Sequence, residues 1–133
     1  MAKLTVNVDG GARGNPGPAA IGVVVRGPDE ELVAEVGETI GRATNNVAEY
    51  RALLRGIELA AEHGADEVEL IGDSELVVRQ VEGRYKVKDA GLRELHAEAK
   101  RALAGFDGWS IRHVKRAQNA DADRLVNAAL DGA

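Results

Sequence analysis

Three short strand-like segments at the start of the chain restrict how it can fold. Residues 4–9, 19–27 and 32–41 are either continuously apolar or alternate between apolar and polar side chains, which is the pattern of β-strands. The turns between them are too short for a helical crossover, so the three strands should form an antiparallel meander. We expect the first strand to end at Gly10 and Gly11, where the backbone turns sharply and leaves Asp9 at the strand end.

The periodicity of the sequence changes after this meander. Apolar side chains recur at helical spacing over residues 44–63, with Thr44 or Asn45 as the N-cap and Gly64 as the stop. A strand over 67–73, helices over 74–81 and 91–104, a strand over 109–115 and a helix over 120–130 follow. This order predicts one α/β domain, residues 1–133, with a mixed sheet and helices on its faces. Periodicity leaves the strand order open.

Composition excludes some classes of protein. The net charge of −5 argues against binding nucleic acid through bulk positive charge, unless part of the acidity is a carboxylate cluster that binds a divalent metal. The chain has no cysteine, which excludes disulfides and thiolate metal sites and fits the reducing cytoplasm, where we expect the protein. We see no apolar run near 18 residues and no secretory leader, and therefore expect no membrane segment.

Several carboxylates stand in positions that suggest a shared site. Asp73 stands at the end of a strand directly after a glycine, and Asp9 stands at the end of a strand directly before one. Asp73 could also cap the next helix. Glu49 lies on the core-facing stripe of its helix, where burial is costly unless a cation compensates it. Asp121 and Asp123 open the last helix, where the helix dipole alone would favour them. Together such acids could hold two divalent cations that assist cleavage of a phosphodiester. The histidines are scattered along the chain and cysteine is absent, which argues against a zinc site.

Four segments carry a family resemblance across nearly the whole chain. In order, D-G-G-A-R-G-N-P-G-P, T-N-N-V-A-E-Y-R-A-L, G-D-S-E-L-V-V-R-Q and R-A-Q-N-A-D-A-D-R-L resemble the four motifs of type I ribonuclease H. The resemblance implies a ribonuclease H-like fold, a five-stranded mixed sheet with its first three strands antiparallel and strand one paired to strand four. It also implies an endonuclease that hydrolyses the RNA strand of RNA/DNA hybrids, leaving 5′-phosphate and 3′-hydroxyl ends.

The resemblance also implies a metal site. It places the catalytic, metal-binding acids on Asp9, Glu49, Asp73 and Asp123, the last being selected over Asp121 by its N-x-x-A-D spacing. Two Mg²⁺ ions are implied, with Mn²⁺ as a substitute. Asp9 would bridge both ions, Asp123 would serve the nucleophile side, and Glu49 with Asp73 would serve the leaving group.

Substrate contacts follow from the same resemblance. Asn45 and Asn46 match positions that read the minor groove of the hybrid, where the 2′-hydroxyl distinguishes RNA from DNA, although either could instead cap the helix. Arg42 and Thr44 match a pocket for a phosphate of the DNA strand. The remaining expected contacts with the substrate are Arg13 and Asn15, which could equally be ordinary loop residues, and Arg116, which replaces a histidine of many relatives.

The sequence departs from better-known relatives after residue 81. Those relatives carry a basic protrusion, whereas this chain has only E-G-R-Y-K-V-K-D, with Arg84, Lys86 and Lys88 as its cations. We therefore expect a compact, monomeric form with weaker and more salt-sensitive hybrid binding. Two alternatives stay open: a nuclease that also cuts double-stranded RNA, and a non-catalytic nucleic-acid-binding module.

Overall fold

The computed structural model describes residues 2–132, and in this range the chain forms five strands and four α-helices. The strands are β1 (Lys3–Ala12), β2 (Gly17–Arg26), β3 (Leu32–Ala43), β4 (Glu67–Gly72) and β5 (Gly108–His113). The helices are α1 (Asn45–Glu62), α2 (Glu75–Val81), α3 (Ala90–Leu103) and α4 (Ala120–Asp131), the last preceded by a 3₁₀ turn at Arg116–Asn119. None of these described helices has the length and apolar character to cross a membrane.

The strands form one mixed sheet in the order β3-β2-β1-β4-β5. β1 and β2 pair antiparallel, as do β2 and β3, which confirms the predicted meander. β1 pairs with β4 in parallel, and β4 pairs with β5 in parallel. The five-stranded mixed sheet and the pairing of strand one with strand four are both confirmed.

Helices cover both faces of this sheet because successive strand residues point to opposite sides. On β2, Ile21, Val23 and Val25 belong to the main core together with Leu53 and Ile57 of α1. On the other face, Ala20 packs against Val126 and Leu130 of α4 in a smaller, separate cluster. The fold therefore has one large core under α1 and a small one under α4.

The structure corrects the predicted end of the first strand. β1 continues through Gly10 and Gly11, and its ladder with β2 reaches the pair Ala12–Ala19, so Asp9 lies within the strand. The glycine serves another purpose: a Cβ at Gly10 would overlap the carbonyl oxygen of Ala48 in α1. Gly10 is therefore required by the close approach of helix and strand, and the backbone turns only after residue 12.

Two side-chain caps fix the helices that border Asp9 and Asp73. The Val47 N–H donates to Thr44 Oγ1 at 3.2 Å, so Thr44 rather than Asn45 is the N-cap of α1. The Val77 N–H donates to Ser74 Oγ at 3.3 Å, so Ser74 caps α2. Asp73 therefore does not serve as that cap, and its carboxylate is available for another role.

The two neighbouring glycines of β1 should respond differently to substitution. Gly10→Ala places a methyl group against the backbone of α1 and should lower the free energy of unfolding by at least about 2 kcal/mol. Gly11→Ala is the matched control, because the nearest atom to its added Cβ is Val126 Cγ1 at 3.8 Å, an ordinary contact. Urea denaturation of both variants measures the difference. Equal stabilities would contradict this account of Gly10.

Candidate active site

The pairing of β1 with β4 brings two aspartates to the same edge of the parallel pair. The register runs to the pair Val8–Gly72, and the next residues along the two strands are Asp9 and Asp73. Residues that directly follow the last pair of a parallel ladder lie side by side, although β1 itself continues to Ala12. The position of both acids therefore follows from the register of the sheet.

Helix α1 adds a third carboxylate to these two. Oxygen atoms of Asp9, Glu49 and Asp73 all lie within 4.8 Å of one another. Asp9 and Glu49 are buried, at 6% and 8% exposure, while Asp73 is half-buried. The Gly10 N–H donates to Glu49 Oε1 at 3.0 Å and so fixes the glutamate beside Asp9. The same close contact that excludes a side chain at residue 10 thus orients Glu49.

Burial and mutual repulsion make these acids hard to ionise together. Burial, reinforced by the charges of Glu49 and Asp73, raises the pKa of Asp9 to about 10. Burial likewise raises the pKa of Glu49 to about 7 and raises the pKa of Asp73 above its ordinary value. None of the ion pairs found within residues 2–132 includes any of the three. The cluster is therefore deficient in positive charge.

The donor set of the cluster fits a hard divalent cation. All three side chains offer carboxylate oxygens, which are the ligands that Mg²⁺ and Mn²⁺ prefer. A bound cation would supply the charge that the protein itself lacks here, and would favour the ionised carboxylates. The residues present thus fit a magnesium or manganese site.

Asp123 joins the same groove from the opposite face of the sheet but stands apart from the three-acid cluster. It lies in the first turn of α4, and Arg116 Nη2 donates to its Oδ1 at 3.2 Å. Its charge contributes to the raised pKa values of Asp9 and Asp73. Asp121 instead forms an ion pair with Arg26 and lines a different cavity. Of the two acids in this turn, only Asp123 faces the other carboxylates.

An open groove of about 460 Å³ surrounds the carboxylates. Besides the four acids, it is lined by four of the predicted substrate residues, namely Arg13, Asn45, Asn46 and Arg116. Both arginines are exposed, and Arg13 forms an ion pair with Asp131 at 2.7 Å. The geometry thus places a polar, partly cationic rim around a buried anionic centre.

The other predicted substrate residues lie farther along. Asn15 and Thr44 line an adjacent cavity of about 300 Å³, which Asn46 shares with the groove. Arg42 lines neither, and its Nη2 donates to the carbonyl of Pro16 at 3.4 Å.

Two side-chain oxygens among these residues hold the β1–β2 loop against α1. The Asn45 N–H donates to Asn15 Oδ1 at 3.1 Å, and the Ala12 N–H donates to Asn45 Oδ1 at 2.9 Å. These bonds occupy oxygens and leave both amide NH₂ groups as donors. The arrangement connects the first loop directly to the start of the helix that carries Glu49.

Sequence reasoning missed two residues that line the groove. Ser74 and Asn127 line it but are not among the predicted site residues. Asn127 stands four residues after Asp123 on α4, and that spacing places two helical side chains on the same face. The spacing was therefore the available signal.

A larger cavity lies away from the acids. It measures about 770 Å³ and has an apolar floor that includes Leu54, Ile57 and Phe106, with charged side chains at its rim. It contains none of the residues of the carboxylate cluster, so its greater size does not make it the better candidate for chemistry.

The segment that replaces the basic protrusion is short and held in place. Between α2 and α3, residues 82–89 are exposed apart from Val87, which packs against the main core. Arg93 Nε donates to the Val87 carbonyl at 2.9 Å and Arg93 Nη2 to the Lys88 carbonyl at 3.3 Å. Arg84, Lys86 and Lys88 are exposed on this segment, and no protrusion extends from it.

Comparison with known proteins places these features in context. A family model described as "Reverse transcriptase-like" matches residues 7–129. Ribonuclease HI of Halobacterium salinarum is 54% identical over 125 residues, which are 94% of this chain. The crystal structure of RNase H1 from that archaeon superposes with a TM-score of 0.96 at 52% identity, covering 98% of this chain and 99% of that one.

Two further relatives extend the comparison. LC11-RNase H1, solved in complex with an RNA/DNA hybrid, is 43% identical with a TM-score of 0.92, and 97% of each chain is covered. The bifunctional protein Rv2228c of Mycobacterium tuberculosis is 48% identical over 132 residues, 98% of this chain. The chain spans 63% of the length of the Halobacterium protein and 36% of that of Rv2228c.

The raised pKa of Asp9 predicts how stability depends on pH without metal. Since this pKa is higher in the folded than in the unfolded protein, the folded state binds more protons between about pH 4 and pH 10, and stability falls as pH rises through that window. Asp9→Asn removes this contribution. In EDTA, the variant should be more stable than the parent by about 1–2 kcal/mol at pH 8.5, and by less at pH 5.5.

Urea denaturation at the two pH values measures this difference. Asp29→Asn is the control, because Asp29 is an exposed acid in the β2–β3 turn, and its effect should be small and independent of pH. An Asp9→Asn protein that is less stable than the parent at pH 8.5 would show that the cluster is not under electrostatic strain.

Proposed function

This chain belongs to the type I ribonuclease H family, and from that premise we propose that it is a metal-dependent endoribonuclease that hydrolyses the RNA strand of RNA/DNA hybrids. The observation that carries the proposal is the buried cluster of Asp9, Glu49 and Asp73, with Asp123 on the same groove. Residues 1–133 would form the single ribonuclease H domain that does this, as a monomer in the cytoplasm.

We assign the metal-binding role to Asp9, Glu49, Asp73 and Asp123, holding two Mg²⁺ ions or Mn²⁺ in their place. When bound, two such ions activate a water and stabilise the leaving oxygen of an in-line displacement. Asp9 lies close enough to the other three acids for the charge of each to raise its pKa, and in line with the family resemblance it would bind both ions. Asp123 would then serve the nucleophile side, and Glu49 with Asp73 the leaving-group side. The products would carry 5′-phosphate and 3′-hydroxyl ends.

The protein prepares this site before any cation is bound. The Gly10 N–H holds Glu49 in place, and the sheet register fixes Asp9 beside Asp73. Because the raised pKa values keep part of the cluster protonated at neutral pH, cation binding would release protons. The affinity for metal should accordingly increase with pH.

The groove residues support recognition of a hybrid. Asn45 and Asn46 lie beside the acids, where their amide groups could donate to the 2′-hydroxyl groups that distinguish an RNA strand from a DNA strand. Thr44 and Asn15 line the adjacent cavity, which would take a phosphate of the DNA strand, with Arg42 nearby. Arg13 and Arg116 would contact the backbone from the rim. LC11-RNase H1, which has been solved with a hybrid, supports this substrate class.

The compact connection between α2 and α3 affects affinity more than chemistry. With a net charge of −5 and no basic protrusion, the protein would depend on a few cations near the groove. Hybrid binding should be weak and should fall steeply with salt. Double-stranded RNA remains a second candidate substrate, since without the protrusion fewer contacts would distinguish a DNA strand from an RNA strand in its place.

The two aspartates in the first turn of α4 provide a matched test. With Mg²⁺, the parent should cleave the RNA of a labelled hybrid, and EDTA should abolish cleavage. Asp123→Asn should lower the rate by at least about a hundredfold, because one metal ligand loses its charge. Asp121→Asn should keep nearly parental activity, because Asp121 pairs with Arg26 outside the groove.

The same assay decides between the alternatives. Products whose 5′ ends are phosphorylated and whose 3′ ends can be extended by a polymerase would support the proposed chemistry. Parallel reactions with double-stranded RNA and single-stranded RNA define the substrate range. A parent that binds hybrid but leaves it intact with Mg²⁺ and with Mn²⁺ would identify a non-catalytic binding module and refute the proposal.

A further inference from the structure

The carboxylate of Asp123 is held by two donors of different character. Arg116 Nη2 donates to Oδ1 at 3.2 Å from a side chain that is 75% exposed, so this contact is weak and easily exchanged for water. Asn127 Nδ2 lies 3.4 Å from Oδ2 and 3.2 Å from the Asp123 carbonyl oxygen, and Asn127 itself is half-buried. The amide is therefore the more fixed of the two partners.

The orientation of Asp123 matters because this acid is not part of the preformed cluster. The other three carboxylates are set by the sheet register and by the Gly10 N–H, whereas Asp123 stands on a helix that packs on the opposite face of the sheet. Groups that orient a metal ligand can strongly influence metal affinity. Such a group is needed most where the backbone alone does not place the ligand.

We propose that Asn127 is a positioning residue that orients Asp123 for metal binding, an inference that rests on the proposed function. One helical turn separates the two residues, so the amide can follow the carboxylate without movement of the backbone. Because the amide is neutral, it orients the carboxylate without placing a positive charge where the cation binds. Arg116 cannot serve in this way, since its charge competes with the cation.

The test measures Mg²⁺ binding to the free protein by calorimetry, together with hybrid cleavage as a function of Mg²⁺ concentration. Asn127→Ala should weaken Mg²⁺ binding about tenfold and raise the Mg²⁺ concentration for half-maximal cleavage by a similar factor. The rate at saturating Mg²⁺ should change much less. Asn127→Gln, which retains an amide on the same helical face, should restore most of the affinity.

A composition-matched control separates positioning from helix stability. The double variant Asn127→Ala/Ala128→Asn keeps the same residues but moves the amide to an exposed position on α4. It should bind Mg²⁺ as weakly as Asn127→Ala, while Ala128→Asn alone should bind like the parent. Melting temperatures in EDTA should be similar among these variants, because no core contact changes.

The outcomes distinguish this inference from the proposed function. If the parent binds Mg²⁺ and cleaves the hybrid, but Asn127→Ala binds Mg²⁺ as tightly or more tightly, the positioning role of Asn127 is refuted and the proposed function stands. If Asn127→Ala lowered the melting temperature but left the Mg²⁺ affinity unchanged, the role of Asn127 would be structural and the positioning role would likewise be refuted. A parent that neither binds Mg²⁺ nor cleaves would overturn both.

Discussion

The fold holds three carboxylates close together against their mutual repulsion. Asp9, Glu49 and Asp73 come from a strand, a helix and a strand end, and no ion pair found among residues 2–132 neutralises them. Separating any one of them would relieve the repulsion, yet the ladder between β1 and β4 and the packing of α1 on β1 prevent it. The fold thus stores an electrostatic cost at this point, which a bound cation would remove.

The close approach of α1 and β1 at Gly10 affects both stability and the carboxylate cluster. At Gly10 the helix backbone comes so near the strand that a side chain cannot fit, and the freed N–H group reaches Glu49. A single backbone position therefore sets the distance between layers and orients a buried acid. A substitution here would disturb packing and the carboxylate cluster together.

Much of this arrangement could be predicted from the sequence, for identifiable reasons. Alternation and helical spacing located all the strands and helices, because burial on one face imposes those periods. The same reasoning misplaced the end of β1, since Gly10 and Gly11 look like a turn when the helix packed against them is not known. It could not choose between Thr44 and Asn45 as the cap, which depends on one hydrogen bond. Strand order came only from the family resemblance.

The candidate site, like the fold, could be predicted only in part from the sequence. Unusual positions, above all a glutamate on a core-facing stripe, singled out acids that the structure does bring close together. The choice of Asp123 over Asp121 came from the N-x-x-A-D spacing of the family resemblance and agrees with their separate cavities in the structure. Asn127 was absent from the predicted site, although its spacing from Asp123 was the available signal. What the sequence could not supply was proximity between distant segments, which is a property of the assembled fold.

The small core that secures α4, built on Ala20, Val126 and Leu130, has a consequence for dynamics. An element whose apolar core is smaller than that of the rest of the domain can open locally at a lower free energy than the whole domain. Amide hydrogen exchange in α4 would then be faster than in β1 and α1, and each opening would carry Asp123 away while the other three acids stay in place. Asp123 is also the last of the four acids to be synthesised, because Asp9, Glu49 and Asp73 all precede α4 in the chain.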